Sequence, residues 1–154
     1  MNWRHAQLPK AATPMDVAFD NGLRLVGYQV DAQRLPATER VSHPPSNWIH
    51  LTTYWQREAT TIPENFHLIG LLTDAGGGVW GRELGYFPTV FSFDPPAQWS
   101  PTAIIEAHLD INLNPITPPG QYQLYLALES DTGERIPLVT GGFEAPLTVI
   151  EIIE

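Results

Sequence analysis

In the run from residue 104 to residue 113, apolar and polar side chains alternate without a break from Ile105 onward, and the alternation resumes after a Pro-Pro-Gly turn. Ile105, Ala107, Leu109, Ile111 and Leu113 fall on one side of a two-residue period, with Glu106, His108, Asp110 and Asn112 on the other. A strand with one face in a core and one in water alternates in this way, whereas a helix repeats about every 3.6 residues. After Pro118-Pro119-Gly120, the residues Tyr122, Leu124, Leu126 and Leu128 repeat the pattern. Asp131-Thr132-Gly133-Glu134-Arg135 reads as another turn, and residues 136–139 are predicted to close a third strand.

The rest of the chain follows the same rule. Fifteen prolines in 154 residues are about twice ordinary usage. One proline inside a helix costs about 3 kcal/mol, so few windows could hold a long one. Strands are predicted at residues 16–19, 23–30, 48–56, 66–73, 79–85 and 147–153, with Asn21-Gly22 as a hairpin turn between the first two. In residues 48–56, Ile49, Leu51, Thr53 and Trp55 share the core face, opposite Trp48, His50, Thr52 and Tyr54. Residues 66–73 are nearly continuous in apolar side chains, the pattern of a strand covered on both sides. Asp74-Ala75-Gly76-Gly77-Gly78 is expected as a permissive turn rather than a phosphate cradle, because no lysine or helix follows. Residues 31–47 read as a loop with a short strand near 39–42. Residues 1–14 read as a loose N-terminal segment.

Eight or nine short strands predict one all-β domain over residues 15–154, an antiparallel two-sheet sandwich of immunoglobulin-like or jelly-roll type. A chain of this length suits a single domain. It has no cysteine, which excludes a disulfide framework and thiolate metal sites. A net charge of −9 argues against a nucleic-acid backbone or an anionic lipid surface as the main partner. No apolar run reaches the about 18 residues of a membrane span, and the first residues lack the apolar core of a secretion signal. No cofactor is implied.

Two groups of residues carry candidate chemistry. Glu106-x-His108-x-Asp110 places three side chains on one strand face, with neighbours roughly 6.5–7 Å apart. They could ligate a metal, or the acids could flank His108 with negative charge. The plainer expectation is the wet face of a half-buried strand. His50 and His108 both lie on polar strand faces and could meet across the sheet, although separate exposure is the simpler reading. The second group is aromatic: Trp80, Tyr86, Phe87, Phe91, Phe93 and Trp99 fall within twenty residues. Such rings stack on sugar faces. The plainer expectation is that most of them cover one end of the sandwich as a satellite core. No Gly-x-Ser-x-Gly elbow is present, and acids such as Glu83 and Asp94 are not singled out as a hydrolytic pair.

Several phrases, in order, carry a family resemblance. Asn21-Gly22-Leu23-Arg24-Leu25-Val26-Gly27-Tyr28, Leu51-Thr52-Thr53-Tyr54-Trp55 and Phe66-His67-Leu68-Ile69-Gly70-Leu71-Leu72-Thr73-Asp74 with Gly76 come first. Pro88-Thr89, Trp99, Pro119-Gly120-Gln121-Tyr122-Gln123-Leu124 and Gly133-Glu134-Arg135-Ile136-Pro137 follow. Together they resemble the C-terminal β-sandwich domain of large bacterial membrane glycosyltransferases similar to protein O-mannosyltransferases. The match departs from the family pattern at Phe91-Ser92-Phe93-Asp94-Pro95-Pro96, which lengthens a usually short link. Those enzymes' transmembrane catalytic part has no counterpart in these residues, and the resemblance transfers no catalytic side chain. It implies a non-catalytic accessory module on the extracytoplasmic face of the membrane, touching a glycan or the catalytic part of such an enzyme. A spacer or docking domain without its own ligand, and a small metal-assisted enzyme using His108, are the competing expectations.

Overall fold

The computed structural model describes residues 3–38, 47–58, 66–83 and 94–154. Among them are ten strands and one short 3-10 turn, Pro96–Gln98. The strands are β1 (Arg4–His5), β2 (Thr13–Ala18), β3 (Leu23–Val30), β4 (Arg34–Pro36) and β5 (Trp48–Arg57), followed by β6 (Phe66–Thr73) and β7 (Val79–Glu83). The last three are β8 (Ile104–Leu113), β9 (Gly120–Ser130) and β10 (Ala145–Ile153). No helix among the described residues is long and apolar enough to cross a membrane.

All ten strands belong to one paired path, β2-β3-β5-β8-β7-β6-β9-β10-β4, with β1 added beside β8. The sheet curls into a half-barrel. Every pairing is antiparallel except β4 with β10. β7 links the two halves by pairing with both β6 and β8. Beyond the end of its ladder with β6, the freed Gly70 N–H donates to the Glu83 carboxylate at 3.2 Å. There β6 and β8 face each other directly: a Cβ on Gly70 would lie 2.8 Å from Ile111 Cδ1 and 2.9 Å from Leu109 Cδ2. Glycine is what allows this close approach.

The alternation read from the sequence is the alternation of burial. Ile105, Ala107, Leu109, Ile111 and Leu113 of β8 enter one core with Ile49, Leu51 and Trp55 of β5. Tyr122, Leu124, Leu126 and Leu128 of β9 complete it from the other half. β6 is buried on both faces, as its apolar run predicts: Leu68 and Leu72 join the main core, while Ile69 and Leu71 pack with Ala127 and Tyr125 on the opposite face.

Differences from the sequence reading have local causes. Residues 136–139 form no strand; Leu138 makes an isolated bridge with Phe19, and Arg135 just before them makes another with Glu129. Pro137 has no N–H to offer a ladder, and its carbonyl instead accepts from Asp20 N at 2.8 Å. β2 begins three residues earlier than predicted and runs across Pro14; it is an edge strand, where a missing donor is tolerated. β4 falls within the segment read as a loop, and the strand expected near residues 39–42 lies outside the described residues. In the segment read as a lead-in, Arg4 and His5 pair with Ile105 and Ile104. Leu8 packs where Gly27 bears no side chain, since a Cβ there would sit 2.7 Å from Leu8 Cδ1.

Candidate functional site

The antiparallel register of β5 against β8 sets His50 opposite Asp110, Thr52 opposite His108 and Tyr54 opposite Glu106. Alternation puts His50, His108, Glu106 and Asp110 on the outward face, and β1 adds His5 beside them. The side chains form one continuous chain. His5 Nε2 meets Glu106 Oε1 at 2.9 Å, and Glu106 Oε2 meets His108 Nε2 at 2.6 Å. His108 Nδ1 meets His50 Nε2 at 2.9 Å, and His50 Nδ1 meets Asp110 Oδ1 at 2.5 Å. The two central rings are 5.0 Å apart between centroids and 27° from parallel. Thr52 Oγ1 stands 3.3 Å from His108 Nδ1, and the backbone N–H of His50 donates to Asp31 at 2.9 Å.

An ionised carboxylate only accepts, so His50 Nδ1 and His108 Nε2 must both donate outward. A neutral imidazole carries one N–H. With that hydrogen used, His50 Nε2 and His108 Nδ1 each present a lone pair toward the other. Their 2.9 Å contact closes as a hydrogen bond when the two rings together hold one extra proton.

The two histidines therefore do meet, which simple exposure would not require. Glu106, His108 and Asp110 share a face as expected, but Glu106 bridges His5 and His108 while Asp110 ends the chain of contacts beyond His50. Among the described residues, no group of three or more histidine, aspartate or glutamate side chains is arranged to hold a metal ion.

The aromatic group divides differently. Trp99 is 2% exposed and belongs to the main core, its Nε1 donating to the Asp94 carbonyl at 2.7 Å. In this conformation it cannot offer a face to a ligand. Trp80 is half-buried, and its Nε1 donates to Asp74 Oδ2 at 2.8 Å. Tyr86, Phe87, Phe91 and Phe93 lie outside the described residues.

Asp74 is more than the turn residue its sequence suggests. It also accepts from the Gly76 and Gly78 amides at 2.9 and 2.8 Å. The Trp80 hydrogen bond, then the Gly78 amide, hold its carboxyl below the ordinary aspartate range. A lowered folded-state value means that the turn's contribution is complete above about pH 4, the unfolded aspartate range, and is lost as pH falls through the folded value. Thermal melts of wild type and Asp74→Asn should accordingly differ most at neutral pH and converge below pH 4. A gap that stays constant down to the acid limit of folding would show that the carboxylate charge is not used.

Asp74 also borders a shallow depression of about 260 Å³, with Thr73, Gln121, Gln123, Tyr125 and Val149 around it. Thr73 is the direct partner of Gln123, and Gln123 the partner of Val149, so three adjacent strands build the floor. Gln123 Nε2 donates to the carbonyls of Leu124 and Thr148, which turns its Oε1 away from those bonds. Tyr122 beneath donates to the Pro118 carbonyl at 2.6 Å, and burial, then the Asp74 charge, push its hydroxyl up from the usual phenol range. The signal for this site was the outward set Gln121-x-Gln123-x-Tyr125, the complement of the core-facing residues of β9.

The fold defines an all-β protein whose described strands form one curled sheet, antiparallel except where β4 joins β10. Comparison with known proteins returns no matching family model, no matching curated protein and no matching solved structure.

Proposed function

We propose that the chain is a non-catalytic glycan-binding module, a curled variant of the immunoglobulin-like or jelly-roll sandwich. On this reading it works at the extracytoplasmic face of the membrane beside a glycosyltransferase, a placement that rests on the sequence resemblance. The observation that carries the binding role is the depression at Asp74. Tyr125, Gln121, Gln123, Asp74 and Thr73 all line it, which brings an aromatic residue, two amide residues, an acid and a hydroxyl residue to one place. Sugars present that mixture in complement: an apolar C–H face and a rim of hydroxyls that both donate and accept. At about 260 Å³ it is smaller than the roughly 300–1,000 Å³ of sites that engulf a drug-sized molecule. One sugar residue of a longer glycan fits that size.

Titration with a panel of oligosaccharides tests the reading. Trp80 fluorescence is a built-in reporter because its indole N–H bonds to Asp74, and the backbone amide resonances of residues 121–125 are a second. A saturable response, lost in Tyr125→Ala and Gln121→Ala, is expected. A flat response across the panel would discard the glycan and leave the spacer or docking role.

A further inference from the structure

The chain of contacts on β5 and β8 lies on strands other than those lining the depression, and at its centre two imidazoles meet. His50 and His108 each turn one ring nitrogen to a carboxylate, at 2.5 and 2.6 Å. Metal-bound histidines almost always donate their second nitrogen in this way, because it fixes the ring and raises the basicity of the ligating nitrogen. The remaining nitrogens, His50 Nε2 and His108 Nδ1, point at each other across 2.9 Å. Two lone pairs facing at that distance repel unless a cation lies between them.

A tetrahedral zinc ion with both nitrogens at about 2.0–2.1 Å holds them about 3.3 Å apart. On that geometry the pair opens by about 0.4 Å and each ring tilts so that its lone pair leaves the line between the two nitrogens. Their partial exposure allows that movement. Both side chains are close to two-fifths exposed, at 44% for His50 and 39% for His108, so water can fill the other coordination positions. The supports are in place before any ion arrives. The strand register fixes both Cα positions, Asp31 holds the His50 backbone, and His5 braces the far oxygen of Glu106.

The geometry points to a two-histidine site for a borderline divalent transition metal, ligated by His50 Nε2 and His108 Nδ1. Asp110 and Glu106 are positioning residues behind the two rings, and water completes the coordination. This differs from the ligand set read from sequence: the two acids move behind the ligands and His50 takes their place. Imidazole nitrogen suits zinc, nickel and copper, whereas magnesium and calcium take oxygen donors.

The test is a zinc titration of the whole chain by calorimetry, with the histidine ring nitrogens followed by NMR. One saturable zinc per chain is expected, shifting His50 Nε2 and His108 Nδ1 while His67, elsewhere on β6, stays unmoved. Calcium should produce no such shift. His50→Ala and His108→Ala should each abolish the site, with unchanged far-ultraviolet dichroism as the folding control. Glu106→Gln and Asp110→Asn keep both ligands and should weaken zinc binding about 10–100-fold. Absence of a saturable site, binding that survives His50→Ala, or affinities within twofold of wild type in both carboxamide variants would each overturn the assignment.

Discussion

Replacing Trp55 with alanine should lower folding stability by about 3–5 kcal/mol, the usual range for deleting a large aromatic from a close-packed core. Trp55 is fully buried, and its ring lies 5.7 Å from that of Phe19. Its Nε1 donates to Thr53 Oγ1 at 2.7 Å, and that hydroxyl donates in turn to the Ala107 carbonyl at 2.9 Å. The substitution thus opens a cavity and removes a hydrogen bond from a site that water does not reach. Trp55→Phe keeps much of the volume and loses the N–H, so it should fall between wild type and alanine. Urea unfolding at equilibrium measures all three. A loss below 1 kcal/mol for alanine would mean that the two halves of the sheet do not close on this side chain.

Asp94→Ala is expected to cost about 2–3 kcal/mol, in the range for hydrogen bonds to charged groups. Its carboxylate is nearly enclosed and receives Trp3 Nε1 at 2.8 Å, Arg4 Nε at 3.0 Å and Arg4 Nη2 at 2.6 Å. The two-pronged arginine contact is the stronger kind of ion pair. The partial exposure of Arg4 keeps the cost below that of breaking a wholly buried pair. The loss should be local as well as global. Glu106 N donates to the Trp3 carbonyl at 2.7 Å, so hydrogen exchange at Glu106 and His5 should quicken more than at the centre of β9. Uniform change across the chain would show that Asp94 does not anchor β1.

What could be read from the sequence followed the length of each element. Residues 104–113, 23–30 and 66–73 were delimited correctly because eight to ten residues suffice to display a period or a continuous apolar run. β1 and β4 have two and three residues, too few to show either. Pairing partners were hidden for another reason: nothing local says that β7 bonds to two neighbours, or that β4 runs parallel to β10. The site shows the same division. The outward position of His50, Glu106, His108 and Asp110 follows from alternation. Their contact depends on a register between strands about sixty residues apart, and a slip of one residue would send one set into the core. Trp99 shows the limit of counting aromatics, since a tryptophan within a proline-rich stretch can fill a core as readily as it can face a ligand.

The parallel pairing of β4 with β10 also bears on how the chain acquires its shape during synthesis. Arg34 and its partner Glu151 are 117 positions apart, and Leu35 aligns with Ile152. A ribosome working from the first residue onward releases β4 long before the segment that will shelter it. Contacts of such long range form late and slowly. Until they do, the growing chain carries an unmatched strand edge of the kind that recruits other nascent chains. Pro36 blunts that hazard: it closes the strand itself, and a residue without an amide hydrogen makes a poor template for a stranger.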